Sequence, residues 1–201
     1  KTEGEELYTA NADITSVRAV LAASVQRHFG CKVLDVETAF LNAHLPDSFE
    51  TVFVRPPQVL VEFGLVAPGT IWRAVKAIYG LRISPKAWGV ERDRQLRKMS
   101  IDVDGKKYIF HQSHIDPSVW TVVRGRFMPE GVGVPIHEAF SPDNPDSEPL
   151  GYIVIYVDDF LISGSDPIRD NITEEIKRYW KSTDKPGIAY GSGGSVEYLS
   201  V

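Results

Sequence analysis

Residues 152–162 read YIVIYVDDFLI. An unbroken apolar and aromatic run, Tyr152 to Val157, meets two adjacent carboxylates, Asp158 and Asp159, and Phe160, Leu161 and Ile162 resume the run. Two apolar strands joined through paired aspartates predict a β-hairpin over 151–164 with the carboxylates at its tip. Asp is a common turn residue, so two of them in a hairpin most often mean only a solvated turn. Two details weigh against that plain reading. Neither Gly nor Asn, the usual residues of positive φ in a tight turn, occurs at 157–160. Both flanks are almost wholly apolar, which suits a central strand buried on both faces. Carboxylates held together repel each other and retain a proton, a conflict that a divalent cation removes.

Mg²⁺ takes one or two carboxylates, keeps waters and completes its shell from phosphate oxygens. Two such ions about 4 Å apart clamp the attacking and leaving oxygens of an in-line phosphoryl transfer. That chemistry asks for a third carboxylate on a neighbouring strand. Asp35 is the candidate, because apolar residues flank it in KVLDVETAF, residues 32–40. Taken alone, Asp35 reads as the solvated end of a strand.

Moving outward, DITSVRAVLAASVQRHFG (13–30) predicts a helix capped by Asp13, striped by Ile14, Val17, Val20, Leu21 and Val25, and ended by Gly30. CKVLDVE (31–37) reads as a strand, as do ETVFVRPP (50–57) and GTIWRAVKAIYGL (69–81), the last turning at Tyr79-Gly80. SPKAWGVERDRQLRKM (84–99) predicts a second helix with Ser84 as cap and Pro85 in its first turn. KKYIFHQ and SVWTVVRG (118–125) look like strands. Residues 125–149, rich in Gly, Pro, Asp and Ser, carry no period and read as a flexible loop or insertion. DPIRDNITEEIKRYWKS (166–182) predicts a third helix, capped by Asp166, with Ile168, Ile172, Ile176 and Tyr179 on one face. VEYLSV (196–201) reads as a strand. The alternation gives an α+β class, a sheet with helices on one face.

At 201 residues, 43% apolar and 24% charged, the chain has the composition of a globular protein with a core. No apolar run approaches the ~20 residues of a membrane span, and no signal peptide opens the chain. A single cysteine, Cys31, excludes an internal disulfide and argues against a cysteine-based zinc site. The net charge of −5 argues weakly against nucleic acid, but charge is segregated. Between Arg73 and Lys98 stand Arg73, Lys76, Arg82, Lys86, Arg92, Arg94, Arg97 and Lys98, against only Glu91 and Asp93. The histidines His44, His111, His114 and His137 show no ligand spacing, and Trp72, Trp88, Trp120 and Trp180 read as core residues.

Three stretches in order, KVLDVETAFLNAHL, VKAIYGLRISPKAW and YVDDFLISG, closely resemble the reverse transcriptase of copia-type LTR retrotransposons. The family patterns are roughly D-V-x-T-A-F-L-N-G-x-L, L-Y-G-L-K-Q-x-P-x-x-W and Y-V-D-D-[IM]-L-I-x-G, and the resemblance extends over roughly residues 8 to 201. TSVRAVLAAS and DPSVW also fall in place. The resemblance implies a polymerase palm, an antiparallel sheet with helices on one face, plus part of the fingers, as one domain over 1–201 truncated at both ends. It implies an RNA-directed DNA polymerase that transfers a nucleotide from a dNTP to a primer 3′-OH with two Mg²⁺, Mn²⁺ being able to substitute. Asp35, Asp158 and Asp159 match the catalytic metal ligands, and the carbonyl of Val36 a further one. Phe40 matches the residue that tests the sugar of the incoming nucleotide. Tyr79 and Gly80 match the turn near that nucleotide. Arg82, Ser84, Pro85 and Lys86 continue toward the template, and Tyr156 toward the primer end.

Partners implied in the same way are an RNA or DNA template with its primer, dNTPs, and the rest of a polyprotein with fingers, thumb and ribonuclease H, without a membrane. The implied location is cytoplasmic, in a virus-like particle, or nuclear. The sequence departs from the patterns at Ile83, at Ala43 and at Gly89, none of them a metal ligand. The family's triphosphate-gripping segment would lie before residue 1 and its thumb after 201, which leaves a second reading: an inactive or decayed palm that only binds nucleic acid or a protein partner. A different palm-type nucleotidyl transferase or cyclase is disfavoured by YGLRISPKAW at 79–88.

Overall fold

The computed structural model describes residues 11–45, 51–124, 148–195 and 198. They fall into two compact units, one within Thr38–Arg92 and one made of Ala10–Glu37 with Asp93–Val201.

The larger unit is built on a seven-stranded sheet. Its strands are β1 (Gly30–Val36), β4 (Ser100–Val103), β5 (Lys106–Gln112), β6 (Val119–Arg124), β7 (Gly151–Tyr156), β8 (Asp159–Gly164) and β9 (Ser182–Asp184). The order is β4-β5-β6-β7-β8-β1-β9, with every neighbour antiparallel. From β4 to β8 this is a meander. β1, first in the chain, enters between β8 and β9. β7 and β8 are the expected hairpin, and every residue of β8 is buried. β4 was not legible in the sequence. It closes onto β5 through Asp104-Gly105, both at positive φ (51° and 71°), the geometry a two-residue hairpin turn requires.

Two helices cover the sheet. In α1 (Ile14–Gln26) the Asp13 carboxylate accepts from the Thr15 N–H at 2.7 Å, as its capping role requires. The helix ends earlier than Gly30, at an Arg27 cap followed by His28 at φ 57°. Gly30 instead opens β1, where a Cβ would lie 2.6 Å from the Ile188 carbonyl oxygen. Val17 and Val20 are buried against Val33, Val154 and Leu161, while Ile14, Leu21 and Val25 stay exposed, so the expected stripe is split. Ser163 of β8 donates to Ser24 of α1 at 2.6 Å.

The second covering helix is α4 (Asp166–Tyr179), the third of the sequence reading. Ile168, Ile172 and Ile176 are buried as expected, but Tyr179 is exposed. The capping position is Ser165; Asp166 lies in the first turn and pairs with Arg169 at 3.0 Å. α4 lies over Gly151 and Gly164, where added Cβ atoms would come within 3.1–3.3 Å of Ile168. Side chains alternate across a strand, so Gly164 and Phe160 face away from Ser163 and Leu161. α1 and α4 therefore cover opposite faces, which corrects the expectation of helices on one face. The cause is the apolar character of β7 and β8 on both sides, each of which needs a cover.

The smaller unit holds a two-stranded sheet, β2 (Phe53–Val54) with β3 (Trp72–Arg73), a short helix α2 (Gln58–Glu62), and the start of α3 (Ser84–Leu96). The longer strands expected over 50–57 and 69–81 shrink to these two-residue pieces; Pro56 and Pro57 carry no N–H to extend the ladder toward Gly69. The loop expected over 125–149 lies outside the described residues up to 147, and the strand expected over 196–201 does so except for Tyr198.

Candidate active site

β1 lies between β8 and β9, so Asp35 has a neighbour on each side. Its partner on β8 is Asp159, and Asp159 is in turn opposite Tyr156 on β7. Residues directly opposite each other in an antiparallel ladder project to the same face. Asp35, Asp159 and Tyr156 thus share one face, at the opposite end of β1 from Gly30. Val157 and Asp158 form the two-residue turn between β7 and β8. The Asp158 carbonyl accepts the Val36 N–H at 3.0 Å, which fixes the tip against the end of β1. Val157 takes a φ of 53°, in the left-handed region where glycine ordinarily serves such a turn.

The aspartates differ in exposure. The Asp159 side chain is 12% exposed and that of Asp35 36%. Burial pushes the Asp158 carboxyl above the usual carboxylate range, and the neighbouring charges of Asp35 and Asp159 add to the rise, against the opposing pull of its own N–H and of Lys185. Lys185 follows β9. Its Nζ donates to Asp159 Oδ1 at 2.8 Å and stands 3.7 Å from Asp35 Oδ2. Other ion pairs fasten β9 and its approach: Lys32 and Lys177 meet Asp184 at 3.2 and 2.8 Å, and Lys181 meets Glu37 at 2.7 Å.

The donor set fits a hard divalent cation in its chemistry. It offers oxygen ligands only, from adjacent chain segments, and such an ion would relieve the carboxylate repulsion that adds to burial in raising Asp158. Among the described residues no group of three His, Cys, Asp or Glu side chains is already gathered as a metal cage. The positive charge beside the pair is that of Lys185. Sequence reading missed this lysine: the strand it follows has three residues, too short for any alternation to show.

The remaining expected residues belong to the smaller unit. Phe40 lies in a short 3₁₀ turn, Ala39–Asn42, and its ring is 4.8 Å from that of Tyr79. Gly80 takes a φ of 90°, which an L side chain would resist. Ser84 begins α3, but its hydroxyl donates back to the Ile78 carbonyl at 2.5 Å. It thus ties the turn that carries Tyr79 to the helix start. Pro85 falls in the first turn, where its missing N–H costs nothing. Arg82 is exposed and Lys86 half-buried.

A family model described as reverse transcriptase (RNA-dependent DNA polymerase) matches residues 3–114. The chain is 32% identical over 154 residues to the Retrovirus-related Pol polyprotein from transposon RE2 of Arabidopsis thaliana, which covers 77% of this chain and 8% of that protein. It is 28% identical over 180 residues to the corresponding polyprotein from transposon RE1 of the same plant, covering 89% and 10%. Against the polyprotein from transposon TNT 1-94 of Nicotiana tabacum the identity is 24% over 162 residues, covering 81% and 10%. The matched region thus spans a tenth or less of these relatives' length. No solved structure matches.

Proposed function

The chain belongs to the reverse transcriptase (RNA-dependent DNA polymerase) family, in its copia-type retrotransposon form, and from that premise we propose that its sheet unit is a polymerase palm carrying an RNA-directed DNA polymerase centre. One observation carries the proposal: Asp35 and Asp159 are direct cross-strand partners, with Asp158 in the turn beside them. Asp35, Asp158, Asp159 and the Val36 carbonyl would hold two Mg²⁺. When bound, these ions supply charge neutralisation at the attacking primer oxygen and at the leaving pyrophosphate. The protein's own part is positioning. Tyr156, on the same face as the aspartates, supports the primer end. Phe40, held against Tyr79, tests the sugar of the incoming nucleotide. By the family resemblance, Gly80, Arg82, Ser84, Pro85 and Lys86 of the smaller unit would contact nucleotide and template. Arg82 and Lys86 meet phosphates without reading sequence. In the relatives this region is part of a much longer polyprotein, and we infer that thumb and ribonuclease H functions come from its other parts.

The test is Mg²⁺-dependent primer extension on an RNA template by this chain, by Asp35→Asn and by Asp158→Asn, with folding checked by circular dichroism. Loss on the order of a hundredfold or more in both variants is expected. Undiminished extension by Asp158→Asn would overturn the assignment. A second reading, a palm that binds nucleic acid or a protein partner without catalysis, draws on the absence of a ready-made three-ligand cage among the described residues. It predicts template binding with no extension by the unaltered chain.

A further inference from the structure

We propose that Lys185 is a tethered counter-cation that neutralises the Asp35–Asp159 pair and that a divalent ion must displace in order to bind there. The inference rests on the metal-site reading above and deepens it: the lysine, together with the carboxylates, sets how tightly the ion is held. Three observations support it. The Lys185 ammonium touches both carboxylates, at 2.8 Å from Asp159 and 3.7 Å from Asp35, so it stands where a shared cation would stand. Its backbone is fixed, the N–H donating to the Val33 carbonyl at 2.9 Å, two residues before Asp35 on β1. The neighbouring cations are otherwise engaged: Lys32 and Lys177 bond Asp184, and Lys181 bonds Glu37. Among these lysines it is Lys185 that serves the aspartates.

Displacement is feasible because the arrangement is open. The Lys185 side chain is 31% exposed and that of Asp35 36%, so water and ions reach the pair. An ammonium on a four-carbon stem can also swing away without disturbing the backbone that carries it. Only one of the two cations can sit between these carboxylates, so binding of the ion and seating of the lysine compete.

The test uses Mn²⁺ alone as probe, its free concentration read by electron paramagnetic resonance. The full chain is titrated in four forms: unaltered, Lys185→Met, Lys185→Arg and Asp159→Asn. Lys185→Met should bind Mn²⁺ about tenfold more tightly than the unaltered chain, a coupling of ordinary size. Lys185→Arg, which keeps the charge, should stay near the unaltered affinity, and Asp159→Asn should bind more weakly. Equal binding by Lys185→Met and the unaltered chain overturns the counter-cation while leaving the metal site standing. Absence of Mn²⁺ uptake in both overturns the metal-site reading and this inference with it. A second measurement needs no substitution. The acetylation rate of Lys185 by an amine-reactive ester, mapped by mass spectrometry, should rise severalfold on saturation with Mn²⁺. An unchanged rate overturns the proposal.

Discussion

Val157 is a β-branched residue at φ 53°, a conformation that costs an L residue about 1–2 kcal/mol. Such strain persists only where the surroundings over-determine it, and here the surroundings are two paired strands and the Val36 N–H held by the next residue's carbonyl. Asn tolerates the left-handed region, so Val157→Asn is expected to raise the unfolding free energy by about 1 kcal/mol, measured by urea denaturation. A loss of stability would mean that the valine side chain contributes more than its backbone costs. At this scale the place of the paired aspartates at a hairpin tip was legible in the sequence, because two apolar runs that meet at two charges mark a turn. The strained turn was half legible: the missing glycine was visible, but its consequence at Val157 was not. Lys185 was invisible, since a lysine beside an aspartate in a polar stretch is the commonest of surface patterns.

Elements are set by where chain must approach chain. Gly151 and Gly164 are opposite each other on β7 and β8, and α4 rests on them through Ile168 and Ile172. A Cβ at Gly151 would lie 2.8 Å from the Ser163 carbonyl oxygen and 3.2 Å from Ile172 Cδ1, with backbone on one side that cannot yield. Gly151→Ala should therefore destabilise the fold by about 1–3 kcal/mol, read from the denaturation midpoint, whereas an added methyl at an open site would do nothing comparable. The hairpin, the two covering helices and β5 were legible because each carries a long apolar period or a sharp boundary. β4 and β9 were not. Strands of four and three residues are held by the partners that flank them, and those partners are known only once the sheet is assembled. The two cap candidates differ in what they are seen to bond: the Asp13 carboxylate accepts from its own helix, while the Ser84 hydroxyl donates to the Ile78 carbonyl.

Over the whole molecule, a net charge of −5 hides the excess of basic residues between Arg73 and Lys98. If that stretch meets phosphate, affinity for a primer–template duplex will fall with salt, because each neutralised phosphate releases counterions. Replacing Arg82 and Lys86 together by Ala should reduce the slope of log K against log salt by about 1 to 2, measured by fluorescence anisotropy. An unaltered slope would remove these two residues from the interface.

The order of the strands also carries a timetable. β4 to β8 form a run of neighbours that can zip together hairpin by hairpin as the chain leaves the ribosome. β1 is made first but cannot settle until β8, and then β9, have emerged. The two carboxylates of the Asp35–Asp159 pair are therefore among the last residues to meet, and the lysine that steadies them arrives later still. A nascent chain does not pair Asp35 with Asp159 until β8 has emerged, nor bring Lys185 to them until β9 has followed.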